Sequence, residues 1–69
     1  MNLTLGIMGG GQLARMLALA ALRMGITPRV FSTQDDESTR FLADRVISTS
    51  VSDAESFARA CDGVTNPAP

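Results

Sequence analysis

With 69 residues, one cysteine and no histidine, the chain has room for a single small domain and excludes an intrachain disulfide and the commonest metal ligand. Apolar residues make up 45%, and Phe31, Phe41 and Phe57 are the only aromatics, so a core has to come mostly from Leu, Ile, Val, Met and Ala. Six arginines and seven acids leave a net charge of −1 and no basic cluster to follow a nucleic-acid backbone. The apolar run Leu3, Leu5, Ile7, Met8 then reads as a short strand buried on both faces, and it runs straight into Gly9-Gly10-Gly11. From Gln12 to Met24, apolar residues at 13, 16, 17, 20, 21 and 24 step by three and four and predict one broad helical stripe, widened by Ala18, Leu19 and Leu22, with Arg15 and Arg23 solvated on other faces. Gly25 ends that helix in the C′ position.

Arg29-Val30-Phe31-Ser32 is a second strand, with Pro28 marking either an edge or a strand start. The polar stretch 33–38 is a loop in which Ser38 or Asp36 can cap a short helix over 39–43. Arg45-Val46-Ile47-Ser48 is a weaker third strand. Ser52-Asp53-Ala54-Glu55 has capping-box form, with Val51 placed to staple onto a helix whose apolar face is Ala54, Phe57, Ala58 and Cys61. Asp62-Gly63 ends it, and Val64-Thr65 starts a fourth strand that Asn66-Pro67-Ala68-Pro69 cuts short. The expected fold is α/β: a Rossmann-like parallel-sheet βαβ unit over residues 1–65, incomplete at the fourth strand, with a Pro-rich tail at 66–69.

Gly9-x-Gly11-x-x-Ala14 fits the glycine-rich fingerprint in its G-x-G-x-x-G/A form. The N–H groups that open the following helix favour a phosphate or carboxylate over the turn. The same glycines would also serve pure strand–helix packing, and the sequence leaves both readings open. All acids lie at or after Asp35, so the first half of the chain, with Arg15, Arg23 and Arg29, is basic and suits an anion near the first helix.

Most catalytic sets are missing: the chain has no His, Lys or Tyr, and Cys61 sits on an apolar helix face with no base to activate it. Asp35, Asp36 and Glu37 form a solvated capping loop that could contact a cation. A dinucleotide site wants an acid at the end of the second strand, about 20 residues beyond the glycines. Ser32 stands there, and a lone serine cannot take a ribose diol in bidentate fashion. The opening Met-Asn-Leu-Thr-Leu carries no signal-peptide or membrane-span pattern, so a cytoplasmic protein without membrane or nucleic-acid partners is expected.

The string Gly9-Gly10-Gly11-Gln12-Leu13-Ala14-Arg15-Met16, with the alanine-rich helix after it, resembles the opening of the ATP-dependent 5-(carboxyamino)imidazole ribonucleotide synthases of purine biosynthesis. The likeness runs on through Met24-Gly25-Ile26, Leu42-Ala43-Asp44-Arg45-Val46-Ile47 and Phe57 to Thr65, and covers residues 3–65. It implies a biotin-carboxylase-like N-terminal domain of an ATP-grasp ligase. Such enzymes use ATP and bicarbonate to carboxylate the amino group of 5-aminoimidazole ribonucleotide. Their first domain helps form the ribonucleotide pocket, and later domains hold ATP and magnesium. Carried onto this chain, the resemblance places Gly9, Gly10, Gly11 and Gln12 near that pocket, with no catalytic residue, metal ligand or cofactor expected in these 69 residues alone.

Three positions depart from the family pattern. Ala14 replaces a glycine, Ser32 replaces an aspartate, and Asn66-Pro67-Ala68-Pro69 replaces an acidic segment that lines the ribonucleotide pocket. The chain by itself is therefore expected to be inactive, with the missing ATP-grasp domains or a partner chain as its complement. A scaffold module whose open sheet edge pairs with a partner or a second copy (a homodimer) is the alternative, and an NAD- or FAD-binding domain of an oxidoreductase is a further one.

Overall fold

The computed structural model of the protein describes residues 2–67. Strand β1 (Thr4–Met8) leads into helix α1 (Gln12–Arg23), then come β2 (Thr27–Ser32), a 3-10 turn (Glu37–Thr39), β3 (Arg45–Ile47), α2 (Val51–Arg59) and β4 (Gly63–Thr65). The four strands form one parallel sheet in the order β3-β2-β1-β4. The expected α/β, Rossmann-like parallel unit is what the chain adopts. Of the tail, Asn66 and Pro67 are described, while Ala68 and Pro69 lie outside the described residues.

Small residues set the spacing on both faces. Ile7 and Val30, opposite each other in β1 and β2, are fully buried with Ala14 and Ala18, Leu42 is buried beside them, and Leu5 and Leu17 pack around them. On the other face a Cβ at Gly6 would stand 2.7 Å from Cys61 Sγ and 2.9 Å from Phe57 Cε1, so α2 closes directly onto bare backbone. Phe57 is clamped there between Phe31, with ring centroids 5.5 Å apart, and the Arg29 guanidinium, 5.0 Å over its ring.

The face of α1 that meets the sheet lies at one margin of the expected stripe: Ala18 and Ala21 belong to both, Ala14 extends the face, and Leu17 packs beside it. Ala14, Ala18 and Ala21 are buried, whereas Leu13, Met16 and Met24 are exposed by 45%, 58% and 73%. The helix is apolar almost all round, so periodicity alone could not choose its face. The alanine stripe wins because it lets the helix backbone approach the sheet. Arg15 lies at the margin of that contact instead of in free solvent, donating to Ser38 O at 3.3 Å with its guanidinium 4.9 Å from the Phe41 ring centroid.

The ends of α1 are set by glycine. Gly25 has φ 76°, Ile26 N–H donates to Ala21 O at 2.9 Å and Gly25 N–H to Leu22 O at 3.1 Å, the paired bonds of a Schellman stop. Pro28, which the sequence reads as an edge or a strand start, lies inside β2 and is buried. Thr27 N–H donates towards β1, to Leu3 O, and Val30 N–H towards β3, to Asp44 O. By alternation the donor that Pro28 lacks faces the β3 side, where pairing begins only at Val30.

Two local expectations are corrected. The segment after the polar loop makes one 3-10 turn, with Asp36 as its cap, and no helix over 39–43. Helix α2 is capped two residues earlier than the capping-box pattern indicates. Ser50 Oγ accepts from Asp53 N–H at 3.3 Å, which leaves Val51 74% exposed in the first turn and not stapled to anything. Ser48 Oγ bonds Asp53 Oδ2 and takes Ser50 N–H, so the serines before the helix form a connected cap that outcompetes Ser52.

Candidate functional site at the glycine turn

The three glycines have three different physical reasons. Gly9 adopts φ 137°, a conformation that side-chain-bearing residues rarely take, and its N–H donates to Phe31 O at 2.7 Å. Gly10 is buried, and a Cβ there would stand 2.8 Å from Ser32 Oγ and 3.1 Å from Asp36 Cβ. Gly11 caps α1 with φ −87° and ψ −161°, open to any residue, and a Cβ there would meet nothing closer than Asp36 Oδ2 at 4.0 Å. Packing therefore explains Gly10, backbone geometry explains Gly9, and neither explains Gly11.

The turn is held from the side by Thr39, whose buried hydroxyl lies 3.3 Å from Gly10 O and 3.4 Å from Asp36 O. Asp36 is pinned in turn, its Oδ1 accepting from Ser38 N–H at 2.9 Å. Helix α1 opens with no side-chain cap and no acid in its first turn, so its leading N–H groups face the space beyond Gly11.

Two clefts of about 420 Å³ flank this turn at the C-terminal ends of the strands. One, on the β4 side, is lined by Gly9, Gly11, Gln12, Leu13, Asn66 and Pro67. The other, on the β2 side, is lined by the three glycines together with Ser32, Gln34 and Asp36. The chain steps from β1 outward to β2 and β3 and then returns to β4 on the opposite side, so the first cleft lies at the topological switch point.

All four residues that the sequence singles out line one or both clefts: Gly9 and Gly11 both, Gln12 the β4 side and Gly10 the β2 side. Asp36 and Asn66 also line the clefts, although the sequence offers Asp36 only as a capping or cation-contacting acid and Asn66 only as part of a segment that replaces the family's pocket acids. Asp36 is four positions past the end of its strand, and only the 3-10 turn folds its carboxylate back to the glycines. Asp35, its neighbour, points away. The Arg45 guanidinium at 2.7 Å and that of Arg40 at 3.2 Å hold the Asp35 carboxyl below the usual carboxylate range.

Cys61 lies on the far face of the sheet, half-buried against Gly6, with its thiol donating to Phe57 O at 3.3 Å. Among the described residues no three His, Cys, Asp or Glu side chains converge to hold a metal ion, and no helix is long and apolar enough to cross a membrane.

A parallel sheet with a glycine turn and helix N-terminus at its switch point defines a doubly wound α/β domain of the Rossmann-like class. Over residues 1–67 the chain matches the ribonucleotide synthetase preATP-grasp domain, and it belongs to that family. It is 40% identical over 63 residues to the N5-carboxyaminoimidazole ribonucleotide synthase of Synechococcus elongatus, a match covering 87% of this chain and 16% of the relative. Identity is 38% over 65 residues to the bifunctional purine synthesis protein purC/E of Dictyostelium discoideum, covering 90% of this chain and 6% of the relative. The Staphylococcus aureus N5-carboxyaminoimidazole ribonucleotide synthase is 34% identical over 65 residues, or 90% of this chain and 17% of the relative. The chain thus spans about a sixth or less of these relatives' lengths. No solved structure is significantly similar to it.

Proposed function

We propose that this chain is the substrate-side first domain of an ATP-dependent N5-carboxyaminoimidazole ribonucleotide synthase acting in purine biosynthesis in the cytoplasm. The glycine turn and Gln12 receive the ribonucleotide. The observation that supports this most directly is the open position at Gly11, beside an uncapped helix N-terminus in the switch-point cleft, within a chain that matches the family over residues 1–67. A phosphate or another oxygen-rich group can approach the backbone there and receive the leading N–H groups of α1.

In this reading residues 1–65 are the Rossmann-like domain and 66–69 a tail. ATP and magnesium belong to the ATP-grasp domains of the whole enzyme. Those domains dock against the side of the molecule where α1 exposes Leu13, Met16 and Met24 and where β4 leaves its outer edge unpaired. The chain alone binds without turning over.

The test is an amide NMR titration of the 69-residue chain with 5-aminoimidazole ribonucleotide. Shifts at Gly9, Gly11, Gln12 and Asn66 are expected. A dispersed spectrum that stays unchanged at millimolar ligand would sink the pocket assignment.

A further inference from the structure

We propose that the β2-side cleft is a ribose-hydroxyl subsite, in which Asp36 Oδ2 accepts from a sugar diol and the Ser32 hydroxyl donates to it. The proposal rests on the geometry of this cleft and is independent of the activity proposed above.

Two polar groups facing one cavity carry the argument. Ser32 is nine-tenths buried at the end of β2; its Oγ accepts from Gln34 N–H at 3.3 Å, but among the described residues its own proton has no acceptor. Asp36 uses Oδ1 on Ser38 N–H, and among the described residues Oδ2 has no donor. Both line the same cleft of about 420 Å³, beside Gly11, where the missing side chain leaves the backbone approachable. One spare donor and one spare charged acceptor match a vicinal diol, in which each hydroxyl can give one proton and accept another.

The charge selects between ligand groups. An Asp36 carboxylate repels a phosphate on this side of the turn, so a phosphate belongs on the β4 side and a neutral sugar edge on the β2 side. Doubly wound nucleotide sites take their ribose contact from an acid at the end of the second strand. Here Ser32 occupies that end, and the 3-10 turn returns an acid from four positions later, so the pair together does what a lone serine cannot.

Amide NMR of the 69-residue chain titrated in parallel with adenosine, 2′,3′-dideoxyadenosine and 5-aminoimidazole ribonucleotide tests this. Adenosine is expected to shift Gly10, Gly11, Ser32 and Gln34, and loss of the diol to weaken binding about tenfold or more. Asp36→Asn keeps the cap on Ser38 N–H and should weaken adenosine to a similar degree. If the ribonucleotide shifts the same residues with the same sensitivity to Asp36→Asn, the diol is its own. If only adenosine does, the source is a separate nucleoside. Equal binding of the dideoxy compound, or no loss in Asp36→Asn, overturns the subsite, as does a ribonucleotide response confined to Gln12 and Asn66 with adenosine silent, even though the last supports the β4-side pocket. Should the free chain be unfolded, millimolar adenosine is expected to bring out dispersed peaks by mass action, and failure to do so also overturns the subsite.

Discussion

Thr4 and Asp62 grip each other by two hydrogen bonds across 58 positions of sequence: Thr4 N–H donates to Asp62 Oδ2 at 2.7 Å, and Asp62 N–H donates to Thr4 O at 2.9 Å. The pair sits where β4 joins β1, immediately before the three-residue register Leu5–Ile7 on Gly63–Thr65. A strand that short needs an anchor at its entry, and this pair holds β4 beside β1 from the end opposite the switch-point cleft. Asp62→Ala is expected to destabilise the chain by about 1–2 kcal/mol, since a charge-assisted bond is lost while the backbone pair remains. Urea unfolding checks this, with Asp62→Asn expected to fall between the two.

Close approach at Gly6 gives a second expectation. Gly6→Ala places a methyl 2.7 Å from Cys61 Sγ and 2.9 Å from Phe57 Cε1, and should cost about 1–3 kcal/mol by overpacking. Cys61→Ala removes the nearer obstacle, so the double variant should lose less than the sum of the two single losses. A double-mutant cycle measured by urea unfolding decides; strict additivity would mean that Gly6 does not meet Cys61.

The glycine turn should separate into packing and access. Gly9→Ala and Gly10→Ala are expected to destabilise by about 1–3 kcal/mol, the first through φ strain and the second by collision with Ser32 and Asp36. Gly11→Ala meets no atom closer than 4.0 Å. It should cost under about 1 kcal/mol, the difference between Gly and Ala as a helix cap. The same change should weaken ribonucleotide binding in the NMR titration, because only there does the added methyl find an obstacle.

Acid sensitivity should trace to Asp35. Its pairs with Arg45 and Arg40 lower its folded-state pKa. Their contribution is therefore fully present above the unfolded value of about 3.9, and is lost as pH falls through the lower folded value. Thermal melts from neutral pH downward should show Asp35→Asn less stable than the parent at neutral pH and equal to it at the acid end. The gap should also narrow with added salt, because the carboxylate is half exposed.

Local patterns made most of the architecture legible. An apolar run before glycines, a long apolar helix stopped by Gly25, and a second strand after Pro28 define a βαβ start, and each recurs in the structure within a few residues. The helix cap shows the limit of such patterns. Ser52-x-x-Glu55 carries the capping-box pattern, yet Ser50 caps the helix, because Ser48 and Asp53 close a network around it.

What the sequence by itself determined was the parallel α/β unit, the glycine turn at its heart and the family to which both point, because these depend on backbone freedom, hydrophobic period and residue identity read locally. What only the tertiary structure decided was orientation. The alanine stripe faces the sheet while Leu13 and Met16 stay outside, and Asp36 folds back to Gly11 while its neighbour Asp35 turns to Arg45. An all-round apolar helix and a run of three acids carry no local signal that ranks their faces. The ranking comes from which arrangement lets backbones approach most closely and brings Asp35 to Arg45 and Arg40, and that depends on residues far apart in the chain.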